Sequence, residues 1–364
     1  MPALTRRSFT IHAGTGTALS RMDECREGHG CPRATPQCQN IKKEKWILER
    51  QSEVLPFTYF HIVFTLPDEL IPVVVRNKEL MNKELIYKLF FDTCSKTLMS
   101  VCADEKYFGT DIGFFAILHT WGQKLNFHPH IHCVVPGGGF SQKKQQWIKA
   151  PFDYLAPVDV LKNRFRSIFL TKLKQFYKNK ELFLKGAVFE NPGKFQKLID
   201  KLFACGWVVH IKKTFKNSSS VIKYLGRYTH KTAITNHRIL YTDDNIVRFK
   251  YRDYADNNRE KIMEIDCISF MRRFLMHVLP PRFVRIRYYG ILSHRNKKKM
   301  IKACREFFEI KPEKQHSKII WQHLLLKITG NDITICSKCG KGNMILAESV
   351  RLISNRAPPL LKFV

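Results

Sequence analysis

The chain has 364 residues, 44% hydrophobic and 12% aromatic, which excludes a disordered polymer and leaves room for more than one domain. Lysine plus arginine (62) exceeds aspartate plus glutamate (31), a formal net charge of +31. A polyanion such as DNA is therefore the expected partner, because basic side chains displace counterions from phosphates.

An anionic membrane is a poorer match, since no apolar run reaches bilayer length and no long basic amphipathic helix stands out. The N-terminus has no signal-peptide core, and the 11 cysteines follow no disulfide spacing. The expected location is the cytoplasm, with no membrane partner.

Residues 1–40 lack periodic pattern and contain CREGHGCPRATPQC, with Cys25, His29, Cys31 and Cys38. IKKEKWILERQSEV (41–54) reads as a charged amphipathic helix. YFHIVFT (59–65) is an expected strand from its aromatic and β-branched content, closed by Pro67. Residues 78–106 carry helical periodicity. GFFAILHTW (113–121) and HIHCVVP (130–136) are the next expected strands, joined by a polar turn. Residues 158–203 are periodic at the helical repeat, and GWVVHIKKTF (206–215) is a further strand. SSSVIKYLGRYTHKTAI (218–234) opens with serines suited to N-capping and continues as a helix. RILYTDDNIVRFKYRDY (238–254) alternates on both sides of an Asp-Asp-Asn turn, as a hairpin does. A basic tail follows Arg272 and ends near CSKCGKG (336–342). The expected fold class is α+β, with mostly antiparallel strands and helices packed against them.

Two stretches carry chemistry. In NFHPHIHCVVPGGGF (126–140), His128, His130 and His132 alternate, so a strand would turn their imidazoles to one face. One such histidine is ordinarily a satisfied core or surface residue; two or three together have ligand geometry. The glycines that follow allow a sharp turn or a close approach of another chain. Two chemistries remain open on the histidines alone. A pair can hold a divalent metal that polarises a phosphate, or three alternating histidines can transfer a nucleotide through a central nucleophile.

The second stretch is VIKYLGRYTHK (221–231). Tyr224 and Tyr228 lie four apart and share one helix face, with Lys223 and Arg227 beside them, then His230 and Lys231. A tyrosine pair on a helix is ordinarily packing or a stacking platform. Here the cations would favour a phenolate, and Gly226 costs the helix about 1 kcal/mol relative to alanine unless something must come close.

Taken together, HPHIHCVVPGGG followed by YLGRYTH resembles the HUH single-strand endonucleases, specifically the two-tyrosine rolling-circle transposases of the IS91 insertion-sequence family. YFHIVFTLPDEL, RRFLMHVLPPRFVRIRYYG and CSKCGKGNM resemble that family in the same order, over residues 39 to 350. The resemblance implies an antiparallel sheet of about five strands with an RRM-like core. It implies Mg²⁺ or Mn²⁺ on His130 and His132, and Tyr224 and Tyr228 as nucleophiles. A third ligand is usual in the superfamily, with His119 the candidate and His61 the alternate. The implied reaction is metal-dependent cleavage and rejoining of single-stranded DNA, at element ends and target, through a 5′-phosphotyrosine. Lys223, Arg227, His230, Lys231 and the RIRYYG segment (285–290) are the expected DNA contacts.

The implied organisation is a zinc-module-like region with a linker helix (1–54), a nuclease domain (55–255) and a basic C-terminal region (256–364). The first region departs from the family pattern. RATPQCQ (33–39) places Ala34 and Thr35 where a histidine and a cysteine are expected, so the module reads as damaged. Cys25, His29, Cys31 and Cys38 are left as zinc donors at irregular spacing, and Cys336 with Cys339 make half a zinc site. Two other readings stand beside the transposase: a histidine-triad nucleotide hydrolase or transferase, which Pro129 disfavours, and an inactive DNA-binding relic.

Overall fold

In the computed structural model the described residues are 44, 46–47, 53–79, 84–150, 155–184, 188–214, 233–280 and 283–310, with 326, 332 and 335. All but the last three fall within one compact unit, Lys42–Ser317.

Its centre is a five-stranded sheet. β1 (Tyr59–Thr65), β2 (Gly113–Trp121), β3 (Phe127–Pro136), β6 (Val208–Thr214) and β10 (Ile286–Gly290) lie in the order β10-β2-β3-β1-β6, and every neighbouring pair is antiparallel. Strict alternation divides the side chains between two faces. Phe60, Ile62 and Phe64 of β1, Phe114 and Leu118 of β2, and Ile131 and Cys133 of β3 point into one large core. Helices α1 (Ile71–Glu79), α2 (Leu85–Ala103), α3 (Val158–Lys178) and α4 (Pro192–Ala204) close that core, α2 contributing Phe90 and Phe91 and α3 Phe165 and Phe169. The expected α+β class and the count of about five strands are what the chain adopts.

The opposite face is divided. Toward one end Trp46, Tyr59, Phe115, Ile117 and Val134 form a small apolar cluster. Toward the other end the same rows continue as histidines. Ile117 lies opposite His132, His119 opposite His130, and His130 opposite Thr65 of β1. Among the described residues, the half of this face outside that apolar cluster is the half that carries the imidazoles.

Two smaller sheets complete the unit. β4 (Gly138–Ser141) and β5 (Gln146–Lys149) form a hairpin. The glycine run after the histidines serves this hairpin, since a Cβ at Gly139 would stand 2.6 Å from the Asp111 carbonyl and one at Gly138 would enter the Phe57 ring. The close approach expected at those glycines is made by the chain itself. β7 (Ile239–Thr242), β8 (Ile246–Asp253) and β9 (Arg259–Asp266) form a three-stranded antiparallel sheet. α5 (Cys267–Leu275) packs on it after an N-cap in which Asp266 accepts from the Ser269 amide at 2.8 Å. Leu125, in the β2–β3 turn, is fully buried among Ala233, Ile234, Val247 and Phe249 of that second core.

Two differences from the sequence reading concern the C-terminal third. The hairpin over 238–254 gains a third strand, β9. The RIRYYG segment, expected to touch DNA, supplies β10, which pairs with β2: Tyr289 stacks on Phe114, and Arg287 lies 4.3 Å from the centre of the Phe91 ring. The sheet therefore draws on chain beyond residue 255, and α6 (Lys297–Phe307) follows it.

Candidate functional site

One ligand nitrogen from each of His119, His130 and His132 lies within 4.8 Å of the others. The register explains the convergence. His130 and His132 are two residues apart on β3, and His119 is the cross-strand partner of His130. The rings of His119 and His132 are 4.4 Å apart between centres, and those of His130 and His132 4.8 Å.

Each imidazole is oriented by its surroundings. His130 Nδ1 lies 2.7 Å from the His128 carbonyl oxygen, so Nδ1–H donates there and Nε2 carries the free lone pair. His132 Nδ1 lies 2.6 Å from His61 Nε2, and the two rings are nearly parallel, at an interplanar angle of 8°. His119 stacks on Trp121, and the Arg285 guanidinium sits 4.8 Å from the Trp121 ring centre. His61, the alternate third ligand of the sequence reading, stands behind His132 rather than in the converging trio. His128 lines the same cavity.

Burial sets the charge state. It pushes His130 down to about 4, the hydrogen bond to the His128 carbonyl opposing the shift in part. His61 is also lowered to about 4, first by burial and then by His210 and Lys212. His132 is held well below the ordinary imidazole range by burial, His130, His61 and Arg285. Burial likewise lowers His128. At neutral pH these imidazoles are neutral, the form that donates a lone pair to a metal. The donor set of three nitrogens fits a divalent cation, and among the described residues no carboxylate belongs to it.

The histidines open into a cleft of about 720 Å³. Its far wall is the β7–β9 sheet and the chain leading into it, with Ala233, Arg238, Lys250, Arg252, Tyr254 and Glu260 among the lining residues. Gln123 of the β2–β3 turn ties the two sides, donating from Nε2 to the Tyr254 hydroxyl at 3.2 Å. This wall is not among the residues expected from the sequence; its signal is the aromatic and basic alternation of KYRDY, which also fits a plain hairpin strand.

Tyr224, Tyr228, Lys223, Arg227, His230 and Lys231 lie outside the described residues, as do Cys25, His29, Cys31, Cys38, Cys336 and Cys339. The described chain on either side of the tyrosine stretch is Thr214, the last residue of β6, and Ala233, which lines the histidine cleft.

A family model described as “Putative transposase” matches residues 113–299, and one described as “Transposase zinc-binding domain” matches residues 13–66, a span that includes Cys25, His29, Cys31 and Cys38. Among curated relatives, “Putative transposase y4qJ” of Sinorhizobium fredii is 38% identical over 332 residues, covering 90% of this chain and 81% of that protein. The transposase for insertion sequence element IS801 of Pseudomonas savastanoi pv. phaseolicola is 27% identical over 288 residues, covering 73% of this chain and 65% of that protein. Among solved structures, the conjugative relaxase TrwC in complex with oriT DNA, in its metal-bound form, aligns over 47% of this chain and 70% of its own, with 12% identity and a TM-score of 0.22.

Proposed function

Because the chain belongs to the “Putative transposase” family, we propose that it cuts and rejoins single-stranded DNA through a tyrosine nucleophile beside a histidine-bound divalent metal. The observation that carries this reading is the meeting of His119, His130 and His132 in a cleft that Ala233 also lines, nine residues after Tyr224 and five after Tyr228.

His119, His130 and His132 would hold Mg²⁺ or Mn²⁺, which would supply Lewis-acid stabilisation of negative charge on a phosphate oxygen. A phenol oxygen of Tyr224 or Tyr228 attacks phosphorus as its proton leaves. The P–O3′ bond breaks, and the departing oxygen takes up a proton as a 3′-hydroxyl. A 5′-phosphotyrosine remains, and attack by a 3′-hydroxyl on it restores a phosphodiester and the free phenol. The second tyrosine allows a second strand to be captured before the first is released. Lys223, Arg227, His230 and Lys231 contact the DNA backbone.

Incubation with end-labelled single-stranded DNA and Mn²⁺, followed by denaturing electrophoresis and peptide mapping, tests the reading. The expected product is a covalent adduct on Tyr224 or Tyr228. Replacing both by phenylalanine abolishes the adduct and leaves DNA binding; an adduct persisting in that double variant would overturn the assignment. Elemental analysis settles the N-terminal module: one zinc per chain that is lost with Cys25→Ser or Cys38→Ser marks it as intact, and no zinc marks it as damaged.

A further inference from the structure

The wall of the cleft that faces the histidines belongs to a separate small sheet, and its chemistry differs from theirs. Tyr254, just beyond the end of β8, is 72% exposed, the most open of the exposed large apolar or aromatic side chains among the described residues. An exposed tyrosine is commonly a mobile surface residue. This one has a partner: its hydroxyl accepts from Gln123 of the β2–β3 turn, 131 positions earlier. The bond holds the hydroxyl end of a ring that lines the cleft and stays largely exposed.

Arg252, two residues before Tyr254, is exposed in the same lining. Lys250 lies two further back and pairs with Glu260 across the strands at 2.6 Å. Lys250 is thus neutralised by a carboxylate, and Arg252 next to an exposed aromatic ring offers what a single-stranded polynucleotide uses: a cation for a phosphate and a platform for a base. A duplex would not use the ring, since its bases are already stacked.

We propose that the β8–β9 wall is a nucleotide subsite, in which Tyr254 stacks on an unpaired base and Arg252 holds the adjoining phosphate, so that the strand crosses the cleft opposite His119, His130 and His132. The subsite deepens the DNA-cleavage reading and rests on it. It would fix the position of the strand relative to the histidines, which the histidines alone cannot do because they hold only an ion. It uses neither Tyr224 nor Tyr228, so its contribution is readable in a protein that cannot cleave.

The test uses the Tyr224→Phe, Tyr228→Phe chain in EDTA, with short single-stranded oligonucleotides carrying 2-aminopurine, whose fluorescence falls on stacking. Wild-type Tyr254 quenches the probe on binding. Tyr254→Ala is expected to weaken binding roughly ten-fold, the range for losing one stacked base, and to abolish the quenching. Tyr254→Phe is expected to keep the quenching and most of the affinity, losing only the hold from Gln123, because the ring and not the hydroxyl meets the base. Arg252→Ala should lower the slope of log affinity against log salt by about 0.7, the value for one phosphate contact on a single strand.

Quenching and affinity unchanged in Tyr254→Ala would overturn the subsite while leaving the cleavage reading intact. Equal loss in Tyr254→Phe would also overturn it, since the tyrosine would then act through Gln123 and not through stacking. Failure of the parent chain to bind single-stranded DNA at all would overturn the cleavage reading and the subsite together.

Discussion

At the scale of single residues, the histidine cluster depends on two hydrogen bonds that aim its nitrogens. His61 is the more informative of the supporting groups, because its Nε2 lies 2.6 Å from His132 Nδ1 and therefore accepts the proton when His132 ligates through Nε2. Outer partners of this kind usually contribute 10- to 100-fold, about 1.4–2.7 kcal/mol, to metal affinity. His61→Ala is thus expected to weaken Mn²⁺ binding, measured by calorimetry on the DNA-free protein, by about that factor. His119→Ala should lose more, as a donor is removed; equal affinities in His61→Ala and the parent would show that His132 needs no such support. The all-nitrogen donor set also bears on the choice of ion. Imidazole suits transition metals better than Mg²⁺, which prefers oxygen, so Mn²⁺ is expected to bind at least about ten-fold more tightly than Mg²⁺. Indistinguishable affinities would point to oxygen donors completing the site.

At the scale of elements, much of the sheet is readable from alternation. β1 and β2 are found at 59–65 and 113–121, and β3 starts three residues ahead of the expected 130. The extra length comes from Phe127, buried in the large core, and from Pro129, whose missing amide does not stop the strand because its carbonyl accepts from Leu66. His130 and His132 were legible because one strand places them on one face. His119 was named as a third ligand, with His61 as the alternate, only through the family resemblance, because choosing between them takes the register of two further strands that a single sequence does not display. β10 was hidden by its own composition, since RIRYYG carries cations that read as surface residues but lie over aromatic rings, Arg285 on Trp121 and Arg287 on Phe91. The cleft wall was hidden because it is made by packing one sheet beside another. Leu125 is the piece that joins them, buried in the second core although it sits in a turn with φ +57°. Leu125→Ala should cost about 2–5 kcal/mol, the range for a truncated core leucine, and loosen the wall more than the histidines. Chemical denaturation would read the first effect. The second appears as weaker single-strand binding with Mn²⁺ affinity preserved, and parallel loss of both would mean that the turn supports the histidines directly.

At the scale of the whole molecule, a net charge of +31 coexists with neutral imidazoles in the interior, and the two respond to acid differently. His61 and His130 each have a folded-state pKa near 4, far below the ordinary 6.5 that an unfolded chain retains. Between those values the unfolded chain binds protons that the folded chain refuses. Stability is therefore complete above about pH 6.5 and falls as pH drops toward 4, by about 1.4 kcal/mol per pH unit for each such histidine. The paired carboxylates act elsewhere: Asp253 and Glu260 are lowered by their lysine partners, so their contribution is present above their ordinary range and is lost only in stronger acid. The two effects separate in pH. Thermal melts of the metal-free protein should be level from pH 8 to 7 and decline between pH 6.5 and 4.5. Replacing His61 with phenylalanine, which cannot take up a proton, should flatten part of that decline even if the variant is less stable overall. A curve that stays level down to pH 4.5 would mean that the histidine face admits water and its imidazoles titrate as they do in the unfolded chain. The buried neutral cluster would then be lost as a ready-made ligand set, while the basic surface would remain.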